Sequence, residues 1–273
     1  PEVARALIVP EATMAKRLTR AKQKIRQARI PYRVPSDDEL PQRLAGVLAT
    51  VYLIFNEGYA AGSGEQAVRT PLVDEALRLG RLLHELMPDE ASVSGLLALM
   101  LIHDSRRSAR VSADGVAVPL AEQDRSLWDR QAAREGIELV GEALRRTPDH
   151  ADPYVVQAAI AACHALAPSY PQTDWDAVIS WYDVLLSVRP TPAARLGRAA
   201  AIAERDGAGP GLAAVDAIDG LDEYAWWHAS RAELLARLDR ADEATQASAR
   251  AVALGLNDAH ARFLGRDRDE SRA

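Results

Sequence analysis

The sequence HASRAELLARLDRADEATQASARAVAL, residues 228–254, shows most clearly how this chain folds. Ala232, Ala244 and Ala251 stand where small side chains allow two antiparallel helices to touch. Leu235 and Leu238 are spaced to fill the contact between those helices. The stretch therefore predicts a pair of packed antiparallel helices.

Similar helical pairs are predicted along the rest of the chain, because prolines end one helix shortly before another apolar helix begins. These prolines are Pro88, Pro148 and Pro190, and the helices that follow them are predicted at residues 93–110, 154–166 and 193–205. Two further helices are predicted at residues 40–55 and 72–87, and another ends at Arg146. The fold class predicted is all-α.

The helical pairs also recur with a period. The segment WDAVISWYDVLL, residues 175–186, repeats the second half of the pair at 228–254. Ala177, Ala213 and Ala244 are 36 and 31 residues apart, which brackets the roughly 34-residue period of tetratricopeptide repeats. The body therefore resembles a degenerate tetratricopeptide-like solenoid, whose concave side often holds a peptide or protein segment.

One small β-hairpin is the only strand structure that the sequence predicts. Residues 109–112 and 116–119 are short β-prone runs joined through Asp114 and Gly115, which favour a tight turn. An isolated hairpin is marginally stable, so we expect it to lie against the helices.

The N-terminal segment EVARALIVPEATMAKRLTRAKQKIRQAR, residues 2–29, has a different character. Pro10 permits a second helix to start, and Met14, Leu18, Ala21 and Ile25 form an apolar stripe fit to pack on the preceding helix. The other face is basic. Two helices, a tight turn and a basic second helix predict part of a helix-turn-helix that binds DNA. The alternative is an amphipathic helix with a solvated basic face.

Charge is divided unevenly along the chain. Residues 1–33 contain nine Lys or Arg and two acidic residues, a net charge of +7, whereas the remainder carries −13 of the total of −6. A positive segment attracts phosphates and a negative body repels them. The body is therefore not expected to be a second nucleic-acid domain.

The prolines at positions 31, 35 and 41, with acidic residues between them, are typical of a linker. We therefore expect a helix-turn-helix part at residues 1–30, a proline-rich linker at 31–41 and a helical body at 42–273.

Individual roles can be assigned on the basic helix. Lys16, Arg17 and Arg20 are expected to meet DNA, with Thr13 and Arg17 reading base edges. Contacts to phosphates are expected from Lys22, Lys24 and Arg26.

A second candidate site is a polar pocket in the body. Asn56, Glu57 and Tyr59 form either the lip of a pocket or a helix cap, with Gly58 ending the helix. On the predicted helix 93–110, His103 and its neighbouring arginines would share one side, and such a cluster can receive a carboxylate, a phosphate or an acidic peptide. The same arginines could instead pair internally with Asp104, Glu122 or Asp124. The candidate residues are Asn56, Glu57, Tyr59, His103, Arg106, Arg107, Arg110, Asp124 and Trp128.

Several classes of function find no support in the sequence. There is no nucleophile elbow, phosphate-binding glycine loop or metal-ligand spacing, and the six histidines are scattered singly. We therefore predict no catalysis, cofactor or metal. Cys163 is the single cysteine, and the longest apolar run, residues 44–55, is too short to span a bilayer. A cytoplasmic protein is expected, and the absence of an initiator Met favours a fragment.

The basic segment is similar to the end of region 4 in bacterial extracytoplasmic-function sigma factors, where this helix reads the promoter element about 35 bases upstream. The resemblance lies in residues 2–4 (EVA), 7–9 (LIV), 11–13 (EAT), 16–18 (KRL) and 20–22 (RAK). It implies that promoter DNA is a partner and that an upstream part binds the RNA polymerase core.

The body resembles the long C-terminal extension of one subgroup of these sigma factors. The motifs are residues 52–59 (YLIFNEGY), 95–100 (GLLALM), 123–130 (QDRSLWDR), 157–162 (QAAIAA), 173–175 (TDW) and 228–232 (HASRA). The resemblance implies regulation through the extension, and a small YCII-related protein is often encoded beside such factors. Gly197 stands where the resemblance favours Asn, and Asp239 where it favours Gly. The competing interpretation is a tetratricopeptide-like scaffold that binds proteins and not DNA.

Overall fold

The computed structural model describes residues 2–7, 9–28, 40–59 and 68–256, and nearly all of their regular structure is helical. Three short 3₁₀ helices lie at Arg107–Ala109, Arg125–Leu127 and Tyr170–Gln172. The α-helices of the described residues are α1 (Glu2–Ala6), α2 (Glu11–Ala28), α3 (Leu40–Tyr59), α4 (Thr70–Leu86), α5 (Ala91–Asp104), α6 (Arg130–Arg146), α7 (Pro153–Leu166), α8 (Trp175–Val188), α9 (Pro192–Asp206), α10 (Ala208–Asp216), α11 (Ala225–Ala236) and α12 (Ala241–Ala253). The predicted all-α class is confirmed.

Polar side chains fix where several of these helices begin. Asp129, Asp152, Asp174 and Thr191 accept hydrogen bonds from backbone amides in the first turns of α6, α7, α8 and α9. These side chains satisfy amides that have no partner within the helix. Helices α4, α6 and α8 end two residues before the three prolines that the sequence analysis used as stops.

From α3 to α12, most helices pack mainly on their neighbours in the chain, and α7 also packs extensively on α5. Helix α5 is the most enclosed: every residue from Val93 to Ile102 is buried, and the helix contacts α3, α4, α6 and α7. Toward the C-terminus, Ala232, Leu235 and Ala251 are buried where α11 meets α12, as predicted. Packing in chain order is the arrangement expected of stacked helix pairs.

Two predicted helix ends were wrong. Helix α5 ends at Asp104, so Arg107 and Arg110 do not continue its face, and the chain turns there. Helix α3 continues through Gly58 to Tyr59, and Gly58 does not take a left-handed conformation. A Cβ atom at Gly58 would lie 2.7 Å from the backbone nitrogen of Val73, so this glycine permits close packing of α3 on α4.

The predicted hairpin is present in reduced form. Val111 and Ala117 form one antiparallel bridge, and the Ser112 amide donates to the Val116 carbonyl over 2.9 Å. Gly115 has a φ of 74°, the conformation that the tight turn requires. No longer strand occurs in the part of the chain described.

The N-terminal helices agree with the predicted helix-turn-helix in position but not in packing. Met14 is buried, whereas Leu18 and Ile25 are 46% and 57% exposed, because α1 is too short to cover the stripe. Residues 29–39, which hold most of the predicted linker, lie outside the described residues. Leu40 and Pro41, which follow them, already belong to α3. None of the helices described is long and apolar enough to cross a membrane.

Candidate functional site

Helix α2 carries the predicted DNA-contacting residues on its surface. The cationic side chains at positions 16, 17, 20, 22, 24 and 26 are all exposed, and none forms an ion pair with another described residue. Thr13 is half-buried in the first turn. With 18 residues, the helix is about 27 Å long, so its cations can face several successive phosphates.

Helix α1 attaches this basic helix to the body. Ala4 is buried, and α1 contacts α3. At the surface, Arg69 bridges Glu2 of α1 (2.8 Å) and Glu57 of α3 (3.1 Å). The sequence left open whether Glu57 forms the lip of a pocket or part of a helix cap, and the structure places it in this bridge.

Two of the predicted arginines, Arg106 and Arg110, lie together with Arg125, which the sequence did not predict, where the C-terminal ends of α3, α5 and α7 meet. Arg110 donates to the carbonyl of Tyr59, the last residue of α3, and its guanidinium lies 3.5 Å from the centroid of the Tyr59 ring. Arg125 donates to the carbonyls of His164 (2.9 Å) and Ala167 (2.8 Å) at the end of α7. Both arginines thus place positive charge at the negative ends of helices.

Arg106 completes what we call the arginine junction, defined as Arg106, Arg110 and Arg125. It donates to the Tyr59 hydroxyl over 2.7 Å and lies 3.3 Å from Nδ1 of His103. Unlike the other two, it binds no helix carbonyl in the described structure. Among the described residues, no carboxylate lies within ion-pair distance of any junction arginine.

Arg107 is not part of the junction. Its guanidinium contacts Asp104 over 2.7 Å and Asp74 over 2.8 Å, which links the end of α5 to α4. The sequence left open whether Arg107 binds a ligand or pairs internally, and the structure shows internal pairs.

Trp128 joins two of the junction arginines. Its ring is 8% exposed, with the Arg125 guanidinium 4.4 Å and the Arg106 guanidinium 5.9 Å from its centroid. Such stacking of cations on an aromatic face is attractive. The remaining predicted pocket residues lie apart: Asp124 is exposed and caps a 3₁₀ helix by accepting from the Ser126 amide over 2.8 Å, and Asn56 lies near the Tyr52 hydroxyl, one turn back on α3.

Burial and the neighbouring arginines keep two histidines of the site neutral. The pKa of His103 is well below its usual value because the ring is buried and lies near Arg106 and Arg110. Burial, followed by Arg106 and Arg125, lowers the pKa of His164 to about 4. Both rings can therefore donate and accept hydrogen bonds without carrying charge at neutral pH.

The sequence analysis missed Arg125 and His164 as members of the site. His164 was set aside with the other scattered histidines, although it faces the cluster from a different helix. Arg125 lies within the distinctive run QDRSLWDR, and its place beside Trp128 was a signal that could have identified it.

In the comparison with known proteins, a family model matches the part of the chain that holds the three junction arginines. A family of unknown function, DUF6596, matches residues 43–144, which include most of α3, all of α4 and α5, most of α6 and all the predicted pocket residues. An uncharacterized protein of Rhizobium meliloti (strain 1021) is 42% identical over 265 residues, which cover 96% of this chain and 62% of that protein. The chain thus spans less than two thirds of the length of this relative.

Proposed function

We propose that this chain is a part of a transcription-initiation sigma factor. In this proposal α2 binds promoter DNA at the element about 35 bases upstream, and the helical body binds a regulatory protein. The protein would act inside the cell together with the RNA polymerase core, and no catalytic role is assigned to it. The YCII-related protein suggested by the sequence resemblance is a candidate partner.

One observation supports DNA binding above the others: six exposed cations lie on one helix without ion-pair partners among the described residues. Elsewhere, most arginines of the body that lie at the surface are paired, such as Arg198 with Asp183 at 2.7 Å. Unpaired cations on a helix that begins after a tight turn favour contact with a polyanion. The order of small, apolar and basic residues in α2 also supports the proposal, because it resembles that of region 4 in sigma factors.

The test is a binding titration of the whole chain against double-stranded DNA over a range of salt concentrations. A duplex is first selected from a random-sequence library with the wild-type protein, and a scrambled duplex serves for comparison. Lys22→Ala should weaken binding to both duplexes and reduce the salt slope by about 1, as expected for a lost phosphate contact. Arg17→Ala should reduce the preference for the selected duplex by about fivefold to 100-fold, as for a lost base contact.

Arg195→Ala is the matched control, since Arg195 is exposed on α9 in the acidic body. Its affinity for DNA and its salt slope should equal those of the wild type. A wild-type chain without DNA affinity at low salt would refute the proposal. An unchanged preference in Arg17→Ala would refute the role given to that residue.

A second function, a protein-binding scaffold, is favoured by the apolar side of α2. Leu18 and Ile25 are exposed on the same helix, and a partner protein could cover them. In that case the basic residues would flank a protein interface. Failure to bind DNA at low salt would favour this function.

A further inference from the structure

A cavity of about 250 Å³ lies in the helical body, away from the basic helix α2. Its wall includes residues of α7, α9 and α11, and each of these helices packs on the helix that follows it in the chain. Three successive helix pairs therefore contribute to one cavity. Stacked pairs of this kind form concave surfaces that bind other molecules.

Aromatic rings form one part of this wall. Tyr170, Trp175 and Tyr182 line the cavity together with His164. The ring of Trp175 lies 5.2 Å from that of Tyr170 and 5.3 Å from that of His164, and both pairs meet edge to face. Because the pKa of His164 is about 4, its ring is neutral at pH 7 and does not repel a cation. The faces of aromatic rings attract cations.

Gly197 makes room for Tyr182 in the same wall. A Cβ atom at position 197 would lie 2.3 Å from the hydroxyl oxygen of Tyr182, so a larger residue would displace the ring. The sequence resemblance favours Asn at this position, where its side chain would need the space that Tyr182 occupies. The Tyr182 hydroxyl forms no hydrogen bond within the described part of the chain, and burial raises its pKa to about 12. An uncharged hydroxyl is therefore left to accept a hydrogen bond from a ligand.

Carboxylates give the cavity a negative charge. Glu204 and Glu233 line it, and Arg237 is the one Lys or Arg among the described lining residues. Arg237 contacts Glu204 over 2.5 Å and Glu233 over 3.8 Å, so two carboxylates face one guanidinium and the net charge is −1. Burial, followed by the charges of Glu204 and Glu233, raises the pKa of Tyr170. The negative potential thus extends to the aromatic wall.

These features together select one class of ligand. An anion would meet two carboxylates, and an uncharged apolar molecule would make no use of them. A metal ion is not favoured, because the described residues contain no group of three His, Cys, Asp or Glu side chains that could hold one. An organic cation fits both the charge and the aromatic rings.

We propose that this cavity binds an organic ammonium ion, namely a primary amine on a small aromatic or aliphatic group. The ammonium group pairs with the carboxylates of Glu204 and Glu233. The apolar part packs against the rings of Trp175 and Tyr182. Such a group occurs in free amines and in the lysine side chain of a partner protein, and the experiment distinguishes these two sources. The site does not depend on DNA binding by α2.

The experiment measures binding to the whole chain by calorimetry and by thermal unfolding. Benzylamine, benzyl alcohol and benzoate have similar size and differ in charge. Benzylamine should bind and raise the melting temperature, benzyl alcohol should bind at least about tenfold more weakly, and benzoate should not bind. Methylammonium should also bind more weakly than benzylamine, since it leaves the cavity unfilled.

A lysine whose backbone ends are blocked, N-acetyl-lysine N-methylamide, identifies the source of the ammonium group. Tighter binding of this compound than of benzylamine would identify the lysine side chain of a partner protein as the ligand. Weaker binding would identify a free amine.

Two variants with opposite expected effects test the assigned charges. Glu204→Gln removes one carboxylate and should weaken benzylamine binding by about tenfold, whereas Arg237→Gln removes the competing cation and should strengthen it by about threefold to tenfold. Glu233→Gln, at a side chain that is 58% exposed, should weaken binding less than Glu204→Gln does. The binding of benzyl alcohol should be the same in all three variants as in the wild type.

Glu138→Gln is the matched control, since Glu138 is exposed on α6 and forms no ion pair with a described residue. It should bind benzylamine like the wild type.

Three results would overturn the inference. The first is the absence of benzylamine binding at millimolar concentration, which would leave Glu204 and Glu233 only as structural partners of Arg237. The second is equal binding of benzylamine and benzoate. The third is weaker benzylamine binding in Arg237→Gln than in the wild type. The first two use only the wild-type chain, so they decide the question even if Glu204→Gln fails to fold.

Discussion

The stability of this protein should depend on pH through His164, which is held neutral in the folded state. Its pKa lies at about 4 because the ring is buried and because Arg106 and Arg125 are close. In the unfolded chain the same side chain has the ordinary pKa of about 6.5. At a pH between these two pKa values, His164 is protonated in the unfolded chain and neutral in the folded protein.

The sign and the size of the effect follow from this difference. The stabilising contribution is complete above pH 6.5 and is lost as the pH falls toward the folded-state pKa of about 4. One pKa unit corresponds to about 1.36 kcal/mol, so the loss should reach roughly 3 kcal/mol. This is a large fraction of the stability of a typical domain.

The assay is urea unfolding at a series of pH values from about 8 to about 4.5, in buffers without organic amines, for the wild type and His164→Gln. The variant cannot take up the proton, so the difference in unfolding free energy between the two proteins should change by about 2 to 3 kcal/mol across this range.

His150→Gln is the control, since His150 is exposed in the turn between α6 and α7. It measures the effect of removing a surface histidine. If the wild type and His164→Gln lost stability in parallel as the pH fell, His164 would not be a buried neutral histidine beside two arginines, and the description of the junction would be wrong.

Four substitutions test the packing described above, each by urea unfolding. Gly58→Ala should destabilise the protein by about 1 to 3 kcal/mol because a Cβ atom would meet the backbone of Val73, whereas Gly46→Ala, in open space on the same helix, should stabilise it by about 0.5 to 1 kcal/mol. Asp239→Gly should stabilise the turn between α11 and α12 by up to about 1 kcal/mol, since Asp239 has a φ of 58°. Arg125→Lys should cost about 1 to 3 kcal/mol because lysine cannot hold both carbonyls at the end of α7 with the same geometry. Equal effects of the two glycine substitutions, or no effect at either Asp239 or Arg125, would contradict these assignments.

The helices could be predicted from the sequence because their signals are local. Prolines after α4, α6 and α8 and small residues such as Ala232 and Ala251 indicate where helices stop and where they touch. The predicted end of α3 was wrong because the same kind of local signal was misleading there. A glycine near the end of an apolar helix is usually a cap, and only the position of Val73 on another helix shows that Gly58 is needed for close packing.

The site was predictable only where its residues are close in the sequence. His103, Arg106 and Arg110 were recognised as a cluster, although the reason given was a continuous helix and the actual cause is a turn after Asp104. Arg125 and His164 come together through the packing of α5 and α7 and through a hydrogen bond across 39 residues. No local periodicity in one sequence encodes such a contact. The backbone conformation at Asp239, in contrast, could be anticipated from the sequence. The resemblance favoured glycine at this position, and the backbone takes the conformation that glycine prefers.

The arginine junction and helix α1, which carries the basic helix α2, are connected through the end of α3. The Tyr59 hydroxyl contacts Arg106 of the junction, and two residues earlier Glu57 contacts Arg69, which contacts Glu2 of α1. The last of these contacts is a surface ion pair, since Arg69 and Glu2 are 41% and 52% exposed, and such pairs contribute little to stability. A change at the junction that acted through this pair alone should therefore have little effect on DNA affinity. A larger effect therefore requires α1 to move on α3, where Ala4 is buried.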